Sequence, residues 1–201
     1  MQSFSSLCKP LSPAFLHPNN MPVRIGLVVL ATDMVVEVEW REIFAGLPIE
    51  ILVARIACAA EVTPKALLTM AHEIGHCASL ILPDVELDAI AYGCTSGSLV
   101  IGEEKVQQLL QQGNSEQITS NPFSAIKAAL AFIKAKNIVV LSPYLASVNE
   151  PFYNALDSVG YNIMAWGSLD LTLDKDIGSM NPEHLPKLIE ELLAGVDAVP
   201  D

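Results

Sequence analysis

The chain has 201 residues, 51% of them hydrophobic and 17% charged, which is enough for one large or two small domains with hydrophobic cores. Its net charge of −12 argues against nucleic acid, which needs a basic surface, and against docking on anionic lipid. Apolar runs such as residues 27–31 are too short to span a membrane. The four cysteines have no paired spacing, which indicates free thiols in a reducing compartment, and we expect a cytoplasmic protein.

The first 20 residues are rich in proline and serine and show no hydrophobic periodicity. We expect residues 1–20 to be a disordered N-terminal extension or the result of an upstream start codon. The folded unit is then expected to begin near Met21.

Strand and helix patterns alternate from there to the end of the chain. Strands are predicted at 24–30, 49–56, 88–93, 117–119, 137–141 and 161–165, with a last one beginning at 195. Helices are predicted at 37–45, 63–82, 103–112, 121–135 and 182–193, with another entered from the 143–149 loop and ending at Gly160.

This alternation predicts an α/β fold with parallel sheets covered by helices on both faces. The pattern restarts near residue 115, so we predict two Rossmann-like, doubly wound halves, residues 21–115 and 116–201. The second half is expected to be incomplete at its C-terminus, because the chain stops at the start of a predicted strand.

In such folds ligands bind beyond the carboxyl ends of the strands, where Asp33, Cys94 and Tyr144 fall. Cys94 is followed by Thr95 and Ser96, which begin a helix. Free N–H groups and the helix dipole at that point are expected to lower the pKa of the thiol and to bind an anion. A buried cysteine in a strand-to-helix turn, with no chemical role, is the alternative.

Residues 72–76 read His-Glu-Ile-Gly-His and match the zinc-protease pattern. The extended pattern fails, because Ser79 and Leu82 stand where a glycine and a third histidine would be. The apolar stripe of this helix places both histidines on the far, solvated side; it consists of Leu67, Ala71, Ile74, Ala78 and Ile81. We therefore predict no metal site and keep a zinc hydrolase, with Glu103 or Glu104 as a distant third ligand, as a third hypothesis.

Three stretches resemble the Asp/Glu racemase superfamily. They are Arg-Ile-Gly-Leu-Val-Val-Leu at 24–30, Asp-Ala-Ile-Ala-Tyr-Gly-Cys-Thr-Ser-Gly-Ser at 88–98 and Ile-Val-Val-Leu-Ser-Pro-Tyr at 138–144. The similarity is greatest to the branch of maleate cis-trans isomerase and the ectoine-utilisation racemase-like proteins. It covers the chain from Met21 to the end, and the Cys-Thr-Ser-Gly turn is its most specific piece.

The resemblance implies a cofactor-independent racemase or isomerase that acts on a small carboxylate between two Rossmann-like halves. Cys94 matches the catalytic cysteine of the first half, and Thr95 and Ser96 match the turn that binds a substrate carboxylate. Tyr144 matches the tyrosine of the second half, and Asn149 is expected to line the same cleft. No cofactor, nucleic acid or membrane partner is implied, and a homo-oligomer is allowed.

Two positions depart from the family pattern. The maleate isomerases carry an asparagine in the first-strand turn, where this chain has Asp33. A carboxylate there would repel a dicarboxylate, so an amine-bearing substrate, such as an ectoine-related amino acid derivative, is expected. The family's second cysteine follows the strand predicted near Val196, where this chain stops. A weakened or inactive carboxylate-binding protein is therefore the alternative to an active enzyme.

Overall fold

The computed structural model describes residues 11–15, 21–112, 115–196 and 198–201. The predicted disordered extension falls mainly on residues 1–10 and 16–20, outside the described residues. Residues 11–15 are exposed and form neither helix nor strand.

The described residues form six strands and nine α-helices. The strands are β1 (Val23–Leu30), β2 (Ile49–Ile56), β3 (Ala89–Tyr92), β4 (Thr119–Ser120), β5 (Asn137–Ser142) and β6 (Asn162–Ser168). The first-half helices are α1 (Val36–Ile43), α2 (Pro64–Thr69), α3 (Ala71–Ser79), α4 (Thr95–Ile101) and α5 (Glu103–Leu110). The later helices are α6 (Pro122–Phe132), α7 (Ala146–Ser158), α8 (Asp174–Gly178) and α9 (Leu185–Leu193), with a 3-10 turn at Pro182–His184.

The first sheet is parallel, with the strand order β2-β1-β3-β4. Its central strand β1 is apolar on both sides, as a strand covered by helices on both faces must be. Leu27 and Val29 pack against Trp40 of α1, whereas Val28 packs in the main core with Ile74 of α3. The predicted doubly wound arrangement is therefore confirmed for this sheet.

The second sheet is the parallel pair β5-β6. Helix α7 packs on β6, and α9 packs on both strands. The close approach of α9 is possible because Gly167 has no side chain; a Cβ there would meet Leu141 at 3.1 Å and Leu192 at 3.4 Å. The α/β class with two parallel sheets is thus as predicted.

The long helix predicted over 63–82 is two helices, α2 and α3. Its start is as predicted, because the Thr63 hydroxyl accepts the N–H of Ala66 and Pro64 stands at the first position. The break falls at Met70, whose N–H donates to the carbonyl of Leu67, three residues back, at 3.3 Å. This tighter turn interrupts the α-helical hydrogen bonding.

Two features differ from the predicted halves. Strand β4 pairs with β3 in the first sheet, although the predicted boundary at 115–116 assigns it to the second half; the boundary itself stays a prediction. The strand predicted from 195 is not formed by described residues 195–196 and 198–201. Instead, Asp201 reaches the start of β5, where its N–H donates to the carbonyl of Asn137 at 2.8 Å. No helix in the described ranges is long and apolar enough to cross a membrane.

Candidate active site

Cys94 lies at the carboxyl end of β3, as the sequence predicts. The N–H of Gly93 donates to the carbonyl of Val28 at 2.8 Å and fixes the chain at the end of the sheet. Cys94 then takes an extended conformation and caps α4, with the N–H of Gly97 donating to its sulfur at 3.3 Å. The Ser98 hydroxyl donates to the Cys94 carbonyl at 2.6 Å. The cysteine is only 6% exposed.

Gly97 allows the first turn of α4 to pack tightly. A Cβ on this residue would lie 2.5 Å from the Tyr92 hydroxyl oxygen, 3.0 Å from the Cys94 sulfur and 3.2 Å from the terminal methyl of Met70. The hydroxyl of the fully buried Tyr92 donates to the sulfur of Met70 at 3.9 Å and lies close enough to Cys94 to lower the pKa of its thiol. The sequence did not identify Tyr92, because it reads there as one more apolar residue of a buried strand.

Burial raises the pKa of the Cys94 thiol above its ordinary value. The Gly97 N–H and the hydroxyls of Ser96 and Tyr92 act in the opposite direction, and the carboxylate of Asp174 adds to the increase. The predicted lowering by the helix start is therefore wrong for the net effect in this structure. The N–H group does lower the pKa, but removing the thiolate from water outweighs it.

Tyr144 brings the second half to the cysteine. It packs against the core cluster that contains Cys94 and lines the same cavity as Thr95, and its ring stacks on Phe152 with centroids 6.1 Å apart. Burial, followed by the nearby Cys94, raises the pKa of Tyr144 to about 12. The hydroxyl therefore keeps its proton over the physiological range and acts as a hydrogen-bond donor. Cys94, Thr95, Ser96 and Tyr144 meet at one place, as the sequence predicts.

Asn149 holds the turn that presents Tyr144. It is buried, and its amide donates to the Tyr144 carbonyl at 2.6 Å and to the Ser168 hydroxyl at 3.1 Å. Its oxygen accepts the hydroxyl hydrogen of Ser142 at 2.5 Å. Both ends of the amide are thus engaged with the protein, which makes Asn149 a positioning residue here; its predicted contact with substrate stays a prediction.

Asp33 follows β1 but its carboxylate serves the next helix. One oxygen accepts the N–H groups of Val35 and Val36, both at 3.0 Å, where α1 begins. These N–H groups compensate part of the negative charge. The predicted role of Asp33 in selecting the substrate stays a prediction.

Asp174 is an acidic residue beside Cys94 that the sequence does not single out. It begins α8, and its N–H donates to the carbonyl of Ala60 at 3.0 Å. Its carboxylate accepts the hydroxyl of Thr32, which also lies 3.2 Å from the sulfur of Cys58. No sequence pattern indicates this cluster, because the turns after β1 and β2 meet the segment after β6 only in the folded chain.

Two cavities adjoin the first turn of α4. The large cavity, of about 500 Å³, includes Thr95, Tyr144, Phe123 and Trp166 in its lining. The small cavity, of about 20 Å³, includes Ser96, Cys58, Glu61, Asp174 and Met70. They share no lining residue, so consecutive residues of the Cys94 turn face different spaces.

The histidine pair of the zinc-protease pattern lies on the outer face of α3. His72, Glu73 and His76 are exposed, whereas Ile74 and Ala78 on the opposite side are buried, as the periodicity predicts. Glu103, proposed as a third ligand, pairs instead with Lys127 at 2.5 Å. Among the described residues no group of three His, Cys, Asp or Glu side chains could hold a metal ion.

Sequence relatives of the chain include maleate isomerases. That of Pseudomonas putida is 25% identical over 147 residues, which cover 69% of this chain and 58% of that protein. That of Nocardia farcinica is 25% identical over 187 residues, covering 88% of this chain and 74% of that protein. The chain thus spans little more than half the length of the first relative. No protein-family model matches it.

Solved structures share the fold. A mutant of Nocardia farcinica maleate cis-trans isomerase with a covalently bound succinylcysteine intermediate has a TM-score of 0.76 at 24% identity, over 87% of this chain and 75% of that one. The Pseudomonas putida S16 maleate isomerase with maleate has a TM-score of 0.73 at 19% identity, over 85% of this chain and 72% of that one. A mutant of arylmalonate decarboxylase has a TM-score of 0.67 at 18% identity, over 87% of this chain and 75% of that one.

The order of the strands, the cysteine at the end of β3 and the matches to maleate isomerases in both sequence and fold agree with one another. In sequence and in fold the chain is therefore similar to the maleate isomerases, the branch of the Asp/Glu racemase superfamily that its sequence motifs resemble.

Proposed function

We propose that this protein is a cofactor-independent isomerase or racemase that acts on a small carboxylate through the sulfur of Cys94. The observation that supports it most is the meeting of Cys94, on the first sheet, with the Tyr144 hydroxyl, from the second half, at the Thr95–Ser96 turn. The maleate bound to one structural neighbour and the succinylcysteine in another are consistent with such a reaction.

The residues at this turn suit the charge changes of the reaction. The hydroxyls of Thr95, Ser96 and Tyr144 would donate to the substrate carboxylate and to the enolate-like charge that develops beside it. For an alkene, the Cys94 thiol releases its proton to solvent water and the thiolate sulfur adds to one alkene carbon, while the neighbouring carbon becomes the carbanion. Rotation about the resulting single bond and expulsion of the thiolate give the other isomer.

The same sulfur also suits a racemase. There the thiolate takes the proton from the carbon next to the carboxylate, and a water molecule protonates the opposite face. The hydroxide left behind takes the proton from the Cys94 thiol and restores the thiolate. In both reactions the thiolate is the active form, so ligand binding has to favour loss of the Cys94 proton. The donor groups around the sulfur supply part of that effect.

A binding protein without turnover is the second candidate. The observation in its favour is the burial that keeps the Cys94 thiol protonated, because a neutral thiol is a poor nucleophile. An ectoine-related amino acid as substrate, a cytoplasmic location and a homo-oligomer are further proposals that rest on the sequence.

Incubation with small amino acids, hydroxy acids and maleate in deuterated water separates the two candidates. The enzyme is expected to place deuterium on a substrate carbon or to change the isomer ratio, and Cys94→Ser is expected to abolish both. A matched Cys77→Ser variant, which changes a buried cysteine on α3, should keep the activity. Ligand binding with no exchange in the wild-type protein would favour the binding protein.

A further inference from the structure

The small cavity beside Ser96 is sized for one small polar group. Its volume of about 20 Å³ is close to the space that a single water molecule needs. An ammonium group has nearly the size of water, whereas a carboxylate has three heavy atoms. Apolar side chains, Leu30, Val62 and Leu67 among them, form much of the wall, so a group placed there is partly removed from solvent.

The charge of this lining is negative. Asp174 and Glu61 both contribute to it, and none of the described lining residues is a Lys, Arg or His. Neither carboxylate forms an ion pair with a basic side chain in the described part of the chain. A second carboxylate would meet two like charges there, whereas a cation would be stabilised by both.

The position of Asp174 is fixed by contacts from two first-half turns. Thr32, after β1, donates its hydroxyl hydrogen to the carboxylate, and Ala60, after β2, accepts its N–H at 3.0 Å. The cavity also includes Ser96, whose neighbour Thr95 lies at the carboxylate-binding turn of the proposed function. Ser96 therefore belongs both to this cavity and to that turn.

We propose that the small cavity receives an ammonium group of the substrate, held by Asp174 with Glu61 beside it, while the substrate carboxylate binds at the Thr95–Ser96 turn. The inference rests on the proposed function and narrows its substrate to a short amino acid rather than a dicarboxylate. Asp174 takes over the selective role that the sequence assigned to Asp33, whose carboxylate is occupied at the start of α1.

Calorimetric titration of the full chain with 4-aminobutanoate and with maleate tests this assignment. The wild-type protein is expected to bind 4-aminobutanoate more tightly. Asp174→Asn should weaken that binding by about tenfold or more, since it removes a charge-assisted hydrogen bond, and should strengthen the binding of maleate. Glu61→Gln should change both affinities in the same directions by a smaller factor. Asp176→Asn is the matched control, because it removes one charge from an exposed position on the same helix.

Protection of Cys94 from iodoacetamide, followed by peptide mass mapping, locates the ligand. Equal affinities of wild type and Asp174→Asn, with Cys94 still protected by both ligands, would overturn the ammonium assignment and leave the proposed function standing. Binding that depends on Asp174 but leaves Cys94 unprotected would support the cation cavity and contradict the proposed function. If Asp176→Asn changed the affinities as much as Asp174→Asn, the effect would come from the overall charge of the protein and the assignment would be overturned. The absence of binding by both ligands would also overturn it.

Discussion

At the scale of single residues, the Cys94 site is a balance between burial and hydrogen bonding. The sulfur accepts the N–H of Gly97, and the hydroxyls of Ser96 and Tyr92 lie nearby; all three groups favour the thiolate. Burial at 6% exposure and the carboxylate of Asp174 favour the thiol and prevail. The sequence could place the cysteine at the start of a helix, but it could not show how deeply the side chain is buried, because burial depends on Tyr92, Met70 and Tyr144 closing over it.

The reactivity of Cys94 is therefore expected to rise at a higher pH than that of a free thiol, whose ordinary pKa is 9.0. Ser96→Ala should move this rise in reactivity to a still higher pH, because it removes one hydrogen bond that lowers the pKa of the Cys94 thiol. The rate of iodoacetamide modification at Cys94, measured against pH by peptide mass mapping with N-acetylcysteine as the reference, checks both. If the reactivity of Cys94 rose at the same pH as that of N-acetylcysteine or at a lower pH, burial would not be the main influence on the pKa of Cys94.

The buried hydroxyl of Tyr144 makes the stability of the folded protein depend on pH in the alkaline range. Its pKa is about 12 in the folded chain and 10.0 ordinarily, so the folded state holds a proton that the unfolded state has lost. This contribution to the free energy of unfolding is complete below pH 10 and is lost as the pH rises towards 12. Urea unfolding measures the free energy of unfolding at pH 9 and at pH 11. Between these two pH values the decrease should be smaller for Tyr144→Phe than for wild type. Tyr153→Phe, at a 44% exposed position, is the control and should behave like wild type.

At the scale of elements, the positions of most strands and helices follow directly from the residue pattern. Strand β2 has the predicted limits, and β1 and β3 agree within one residue at each end, because buried parallel strands are continuous apolar runs bounded by polar turns. Helix α4 was anticipated only as a helix start. Its residues are small and hydroxyl-bearing, which is weak helix-forming composition, and it is stabilised by packing against α2, α6 and α7.

Gly97 is the residue of α4 that tolerates least change. Gly97→Ala is expected to lower the free energy of unfolding by about 1–3 kcal/mol, because its Cβ would press on Tyr92 and on the Cys94 sulfur. Gly195→Ala serves as the control, since the nearest atom to its added Cβ is 3.9 Å away. Equal urea midpoints for the two variants would show that the first turn of α4 is looser than the structure indicates.

The turn from β5 into α7 depends on Asn149. Asn149→Ala leaves the Ser142 hydroxyl and the Tyr144 carbonyl without this partner in a buried place, so we expect about 1–3 kcal/mol of destabilisation. Asn154→Ala, on the exposed side of α7, should change stability little. If Asn149 acted only on substrate, thermal denaturation of the ligand-free protein would be the same for both variants.

At the scale of the whole molecule, the net charge of −12 opposes compaction. Sodium chloride should therefore raise the melting temperature at pH 7 between low salt and about 0.15 M, where the screening length falls to about 8 Å. Near pH 4.6, where the net charge is close to zero, the same addition should have little effect. A salt response of equal size at both pH values would show that it does not arise from charge repulsion.

The meeting of the two halves at the site was the part of the architecture that required a family resemblance. Residue patterns alone placed Cys94 and Tyr144 at the ends of strands in different sheets, and nothing in the spacing fixes how two sheets face each other. The structure supplies the contacts, in particular the Tyr144 hydroxyl at the Thr95–Ser96 turn. Asp174 was missed for the same reason, since its partners are remote in the chain.

The hydrogen bond from Thr32 to Asp174 also has a kinetic meaning. It joins residues 142 positions apart, so closing it during folding fixes a long loop and carries a large entropic penalty. Contacts of such range are expected to form after the local strand and helix pairs of each sheet. The small cavity, which Asp174 lines, would then be among the last parts of the protein to be assembled.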